Sequence, residues 1–121
     1  MKKIYVGSIT LLFFFTFKSF AQSQRDLLDS LKTELNQAKE LKDRVLILSE
    51  LTWNYVPISI DSAIIFGERG VEKALSLNDL EILSQLYSDL GFAFMEKGEL
   101  ISSRESYETA LKIRYQLGDS I

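Results

Sequence analysis

Two stretches of this chain repeat each other at a fixed distance, and that distance limits the fold more than any other feature. Residues 63–70 (AIIFGERG) align with residues 103–110 (SRESYETA) at an offset of 40, with small residues at 63/103 and 70/110. Leu77 then falls on Leu117, and Asp79 on Asp119. Upstream, residues 51–55 (LTWNY) fall on residues 90–94 (LGFAF) at an offset of 39. One residue of slippage therefore lies in the intervening turn, where the single proline, Pro57, has no counterpart. A unit of roughly 34–45 residues built from two helices specifies a stack, because one pair cannot bury its apolar face alone. The expected fold is all-α: a right-handed solenoid of antiparallel helix pairs, about five helices after a signal peptide.

Helical spacing runs through the whole chain after the first twenty residues, and strand-like alternation is absent. Leu27, Leu28, Leu31, Leu35, Ala38 and Leu41 mark an amphipathic helix near 24–42, with Asp29, Lys32, Glu34, Lys39 and Glu40 on its solvated face. A second helix over about 43–56 carries Val45, Leu48, Leu51, Thr52 and Tyr55 on one side. Pro57 ends it by disfavouring helical geometry at the preceding residue. Ser59 and Asp61 suit the cap of a third helix reaching about Leu77. Asn78-Asp79 breaks the chain, and a fourth helix runs from about Leu80 to Glu96. The fifth is expected to begin near Ser102, where Ser102 and Glu105 have capping-box spacing, and to stop at Gly118.

The first segment reads as an address. Met1-Lys2-Lys3 is a charged start, residues 4–17 carry no charge, and small residues sit at Ser19 and Ala21. That three-part pattern is a secretory signal with cleavage after Ala21. The competing reading is an uncleaved anchor, but fourteen residues span roughly 21 Å as a helix, short of the ~30 Å hydrocarbon core. The domain organisation is thus a signal over 1–21, a leading helix over 22–42, and repeats over 43–79 and 80–119. The location is exported, periplasmic or secreted, with no membrane insertion after cleavage.

Charge and composition exclude several functions. The chain has 14 Lys+Arg against 17 Asp+Glu; without Lys2, Lys3 and Lys18 the balance is 11 against 17, an acidic domain. Nucleic-acid binding needs a basic face, so no nucleic-acid partner is expected. With no cysteine and no histidine, disulfides, thiol or imidazole catalysis and His/Cys metal sites are ruled out. Acid pairs such as Asp26/Asp29 and Glu99/Glu105 are what acidic helices carry anyway, and nothing sets them across a cleft. Gly67 and Gly70 lie inside a helix with no following Lys-Ser/Thr, so they are not a phosphate loop. No catalytic residue, cofactor site or metal site is expected.

Tyr87, Leu90-Gly91, Phe94, Gly98, Ser103, Tyr107 and Ala110 carry a resemblance to the tetratricopeptide repeat (TPR) family, in its variant of about 40 residues. Gly91, Ser103 and Ala110 stand where the family needs small side chains at a close helix crossing. Tyr87, Phe94 and Tyr107 stand at the places of its large knobs. The first unit has Leu51, Tyr55, Ala63 and Gly70, but Thr52 replaces the glycine and Gly67 the second aromatic. The resemblance implies an interaction scaffold and not an enzyme, with a concave groove that holds a peptide or partner helix. Carried over by position, the groove would hold Ser49, Trp53, Gln85, Ser88, Phe92, Met95 and Glu96, together with Leu46 and Val56. Trp53 and Phe92 at equivalent positions either form a contact pair for a ligand or are covered by a neighbouring helix. The Lys/Arg/Asn clamp that some members use for chaperone termini is absent.

The last helix has no partner in this chain, so Leu111, Tyr115, Leu117 and Ile121 should leave apolar surface uncovered. Self-association through that end, capping of a separate partner, and a place at the front of a longer protein are the three explanations. The last is similar to the extracytoplasmic repeat regions of bacterial TPR-containing sensor histidine kinases and regulators. It makes a sensory input module the alternative function.

Overall fold

The structure is a computed structural model that describes residues 2–118, with side chains from residue 16 onward. Ile121, expected at the uncovered end, lies outside the described residues. Five helices follow one another: α1 (Lys2–Gln37), α2 (Leu41–Tyr55), α3 (Ile60–Leu77), α4 (Leu80–Lys97) and α5 (Leu100–Gln116). Each packs on its neighbour in sequence, and α2 also touches α4 across the first unit. The pairs α2/α3 and α4/α5 are the two repeats. No strand occurs among the described residues.

The helix boundaries follow local chemistry. Ser59 caps α3 by accepting from the Ser62 N–H at 3.3 Å, and Asp79 caps α4 by accepting from the Ile82 N–H at 3.1 Å. Asn78 ends α3 in the left-handed conformation, φ 55°, which asparagine tolerates better than most residues. Pro57 ends α2 by a different route from the one expected. Val56 keeps right-handed helical angles, φ −50° and ψ −48°, and what stops the helix is the proline's missing N–H. The next donors, Ile58 N–H and Ser59 N–H, both close back on the Tyr55 carbonyl, at 2.9 and 2.7 Å.

Three expected boundaries move. The break after α1 falls at residues 38–40, not at 42/43, because Leu41 belongs to the stripe of α2 and packs with Val45. The stripes of α1 and α2 are in phase there, so spacing alone runs them together. The Ser102–Glu105 capping box does not form. Helix α5 starts two residues earlier, behind Glu99, which makes no side-chain cap; its carboxylate is held by Lys97 at 3.3 Å instead. Residues 2–21 continue into α1 as one helix, so the leading helix is longer than 22–42. Of these residues, the described side chains 16–20 are exposed and add nothing to the core.

Two linked apolar clusters hold the stack. One joins Leu28 and Leu31 of α1 with Leu51 and Tyr55 of α2, Ala63 and Ile64 of α3, and Leu90 and Ala93 of α4. The other joins Val45, Ala74, Leu83, Leu86 and Ile113. Tyr55 stacks on Phe66 with ring centroids 5.3 Å apart. Phe94 packs against the first cluster and Tyr87 against the second.

The helices cross where small residues let them. A Cβ on Gly91 would lie 2.9 Å from the ring of Tyr107 in α5, and one on Gly70 would lie 2.8 Å from Leu86 in α4. Ser103, buried at the same crossing, donates its hydroxyl to the Gly91 carbonyl at 2.7 Å. Ala63 and Ala110 are buried at equivalent points. Gly98 turns the chain from α4 to α5 at φ +87°, where a side chain would be strained.

The outer side of α5 is uncovered among the described residues. Leu100, Leu111, Tyr115 and Leu117 are all exposed there, as is Ile101 at 71%. Their counterparts at the offset of 40 include Ile60, Val71 and Leu77 of α3, which pack against the core.

Candidate interaction groove

Helices α2 and α4 lie side by side, so side chains one and two turns apart on each form a common surface. Ser49, Glu50, Trp53 and Asn54 from α2 meet Gln85 and Asp89 from α4 around a cleft of about 330 Å³. Trp53 lines one side of it and lies against Phe92, with ring centroids 5.2 Å apart and planes tilted by 31°. Phe92 is half-buried and rests on the core, while Trp53 lies over it and stays 56% exposed. The core covers Phe92, and no described helix covers Trp53.

Asp89 forms the polar floor. It is only 5% exposed. Its Oδ1 accepts from the Gln85 amide at 2.9 Å and its Oδ2 from the Ser49 hydroxyl at 3.2 Å. The Ser49 bond ties α2 to α4 across the two units. Burial pushes the Asp89 carboxyl above the ordinary aspartate range, and the bonds from Gln85 and Ser49 offset part of that rise. The residues lining the cleft include two carboxylates, Glu50 and Asp89, and no Lys or Arg.

The other expected groove positions spread along the same face and off it. Gln85 also borders a wider depression of about 1080 Å³ that includes Lys42, Leu46, Ile82 and Arg114. Ser88 turns toward α5, where it accepts from Arg114 Nη2 at 3.4 Å. Met95 is exposed one turn beyond Phe92. Glu96 sits apart, on a shallow cleft of about 440 Å³ built on the Pro57 turn. Val56 is not a groove residue: it is 8% exposed and belongs to the core. The turn forced at Pro57 draws it inward, whereas its counterpart Met95 lies on an uninterrupted helix.

Asp89, Glu50 and Asn54 belong to the cleft without any motif in the sequence marking them. Asp89 lies four residues after Gln85 and three before Phe92, the spacing of one helix face. A lone acid between the crossing residues Leu90-Gly91 and the groove position Ser88 was the available signal. Among the described residues no three His, Cys, Asp or Glu side chains gather where a metal ion could be held.

Antiparallel helix pairs, small residues at each crossing and an open face formed by the first helices define a tetratricopeptide-type repeat protein. Such domains are generally non-catalytic modules for protein–protein interaction. The family model of the SusR N-terminal TPR domain matches residues 17–116, and the chain belongs to that family. No curated protein and no solved structure matches it.

Proposed function

We propose that this protein is an exported interaction scaffold that holds a peptide or partner helix against the α2/α4 face. The observation that carries this reading is the Trp53–Phe92 pair beside the cleft. A tryptophan left more than half exposed over a second aromatic supplies rigid apolar contact area at little entropic cost, which is how aromatics anchor interfaces. Export is supported by the charged start, the apolar run and the small residues before Gln22. It is also supported by the α1 side chains that reach the core, Leu28, Leu31 and Leu35, all of which lie beyond the expected cut.

Trp53 is the single tryptophan, so its emission reports on the groove directly. Peptides selected from a random library on the purified protein should shift that emission on binding. Phe92→Ala should weaken them by roughly tenfold or more, the scale of an interface anchor. Selected peptides that bind Trp53→Ala and Phe92→Ala as well as the parent would place binding elsewhere. For export, mass spectrometry of the protein recovered from its producing cells should find Gln22 as the first residue.

A further inference from the structure

A carboxylate sunk to 5% exposure beside an exposed aromatic is an unusual thing to leave without a counter-charge. An ionised Asp89 is acceptor-only, with about four lone-pair sites. Two are engaged, by the neutral donors Gln85 and Ser49. The only other charged residue lining the cleft is Glu50, which adds negative charge. Arg114 of α5 is turned to Ser88, and Lys42 lines the neighbouring depression and not this cleft. The cleft is thus negative, partly desolvated and floored by acceptors, with the face of Trp53 at its side. That combination selects a cation that is planar or carries an apolar stem, since such a group can lie on an aromatic ring and reach a carboxylate at once.

We infer that the cleft between Ser49, Trp53, Gln85 and Asp89 is a subsite for a basic side chain of the bound peptide, an arginine above all. The guanidinium would donate to the free acceptor sites of Asp89 and lie against the Trp53 ring, while Glu50 at the rim attracts it. Arginine fits better than lysine because its fork offers several donors in a plane and its charge is more weakly hydrated. This assignment rests on the groove reading for the source of the cation, but not for the site itself. It gives a purpose to a buried charge that costs the fold stability.

The test titrates the full purified chain with N-acetyl-arginine amide, following Trp53 emission, beside the citrulline and norleucine analogues. Citrulline keeps the shape and loses the charge. Arginine amide should saturate at millimolar concentration, the scale for a ligand of this size, and citrulline should bind at least about tenfold more weakly. Asp89→Asn, which keeps the size of the side chain and lets its amide oxygen accept from Gln85 while its NH2 donates to the Ser49 hydroxyl, should abolish the preference for arginine. Ser49→Ala, which removes one donor and keeps the charge, should preserve it. Equal responses to arginine and citrulline would overturn the assignment. So would a preference that survives Asp89→Asn, or one that Glu50→Gln alone removes. If selected peptides bind through Trp53 with no basic residue in common, the subsite fails while the groove stands. If arginine amide behaves as expected but no selected peptide depends on Phe92, the subsite stands and the groove reading fails.

Discussion

The two repeats solve the same crossing in opposite ways. In the second, the first helix carries the small residue, Gly91, and the second helix covers it with Tyr107, whose ring would stand 2.9 Å from an added Cβ. In the first, the equivalent positions are reversed: Thr52 on the first helix and Gly67 on the second. A Cβ on Gly67 would meet Thr52 Cγ2 at 3.1 Å and Leu90 Cδ2 at 2.6 Å. The fold therefore constrains the combined size of the pair and not which helix holds the glycine. The exchange also has a second effect. Because Gly67 is bare, Leu90 of the next unit reaches into the first, so the departure from the family pattern is also a contact between repeats.

The sharpest way to break this comparison is to impose the pattern of the second unit on the first. Gly67→Tyr should cost about 3 kcal/mol in urea denaturation, the upper range for overpacking a core. Adding Thr52→Gly should return part of the loss but not all, because Leu90 still occupies the space. A double-mutant cycle with coupling below about 0.5 kcal/mol would show that the two positions do not compensate each other. In the second unit, Tyr107→Ala should cost about 2 kcal/mol, less than a fully buried aromatic because the residue is 40% exposed. Ser103→Ala comes next, at about 1 kcal/mol for a buried hydrogen bond. Its counterpart in the first unit is already alanine, Ala63, so a loss near zero would mean both crossings rely on size alone.

The smallest effect is a gain. Asp89 and Glu50 are equivalent at the offset of 39, yet one is buried and the other exposed. Burial raises the folded-state value of Asp89, so its ionisation weakens the fold. The native state is favoured most below the unfolded carboxyl value, about 3.9, and loses that advantage as pH rises through the raised folded value. Asp89→Asn should therefore stabilise the fold at pH 7 by about 1 kcal/mol or less, read as a higher thermal midpoint, and the gain should fade on acidification. The other charges near that face are Glu50 on α2 and Arg114 on α5, with Lys42, Asp79 and Glu81 on the depression that Gln85 also borders. Glu50→Gln should change stability by less than about 0.5 kcal/mol at any of these pH values.

The repeat, the helix count and the crossings of the second unit were legible because each rests on spacing within a stretch of some forty residues. Ser59, Asp79 and Gly98 were readable for the same reason, since caps and turns act over three or four positions. What stayed hidden depends on partners far apart in sequence. By spacing Gly67 reads as a lost aromatic, and in the fold Leu90 fills the place. Val56 reads by position as a groove residue, and the Pro57 turn draws it into the core. Asp89 carried no motif, and only the approach of Ser49 from α2 shows that it is buried.

The order of contacts along the chain has a further consequence. Among the described residues every helix after α1 packs on the one before it, and the one longer reach, α2 to α4, skips one element. No part of the stack waits for a residue made much later, so loop-closure entropy is small and ordering can proceed from one end to the other. A chain wired this way is suited to leaving a narrow channel in sequence order. Each segment that emerges already has its neighbour beside it.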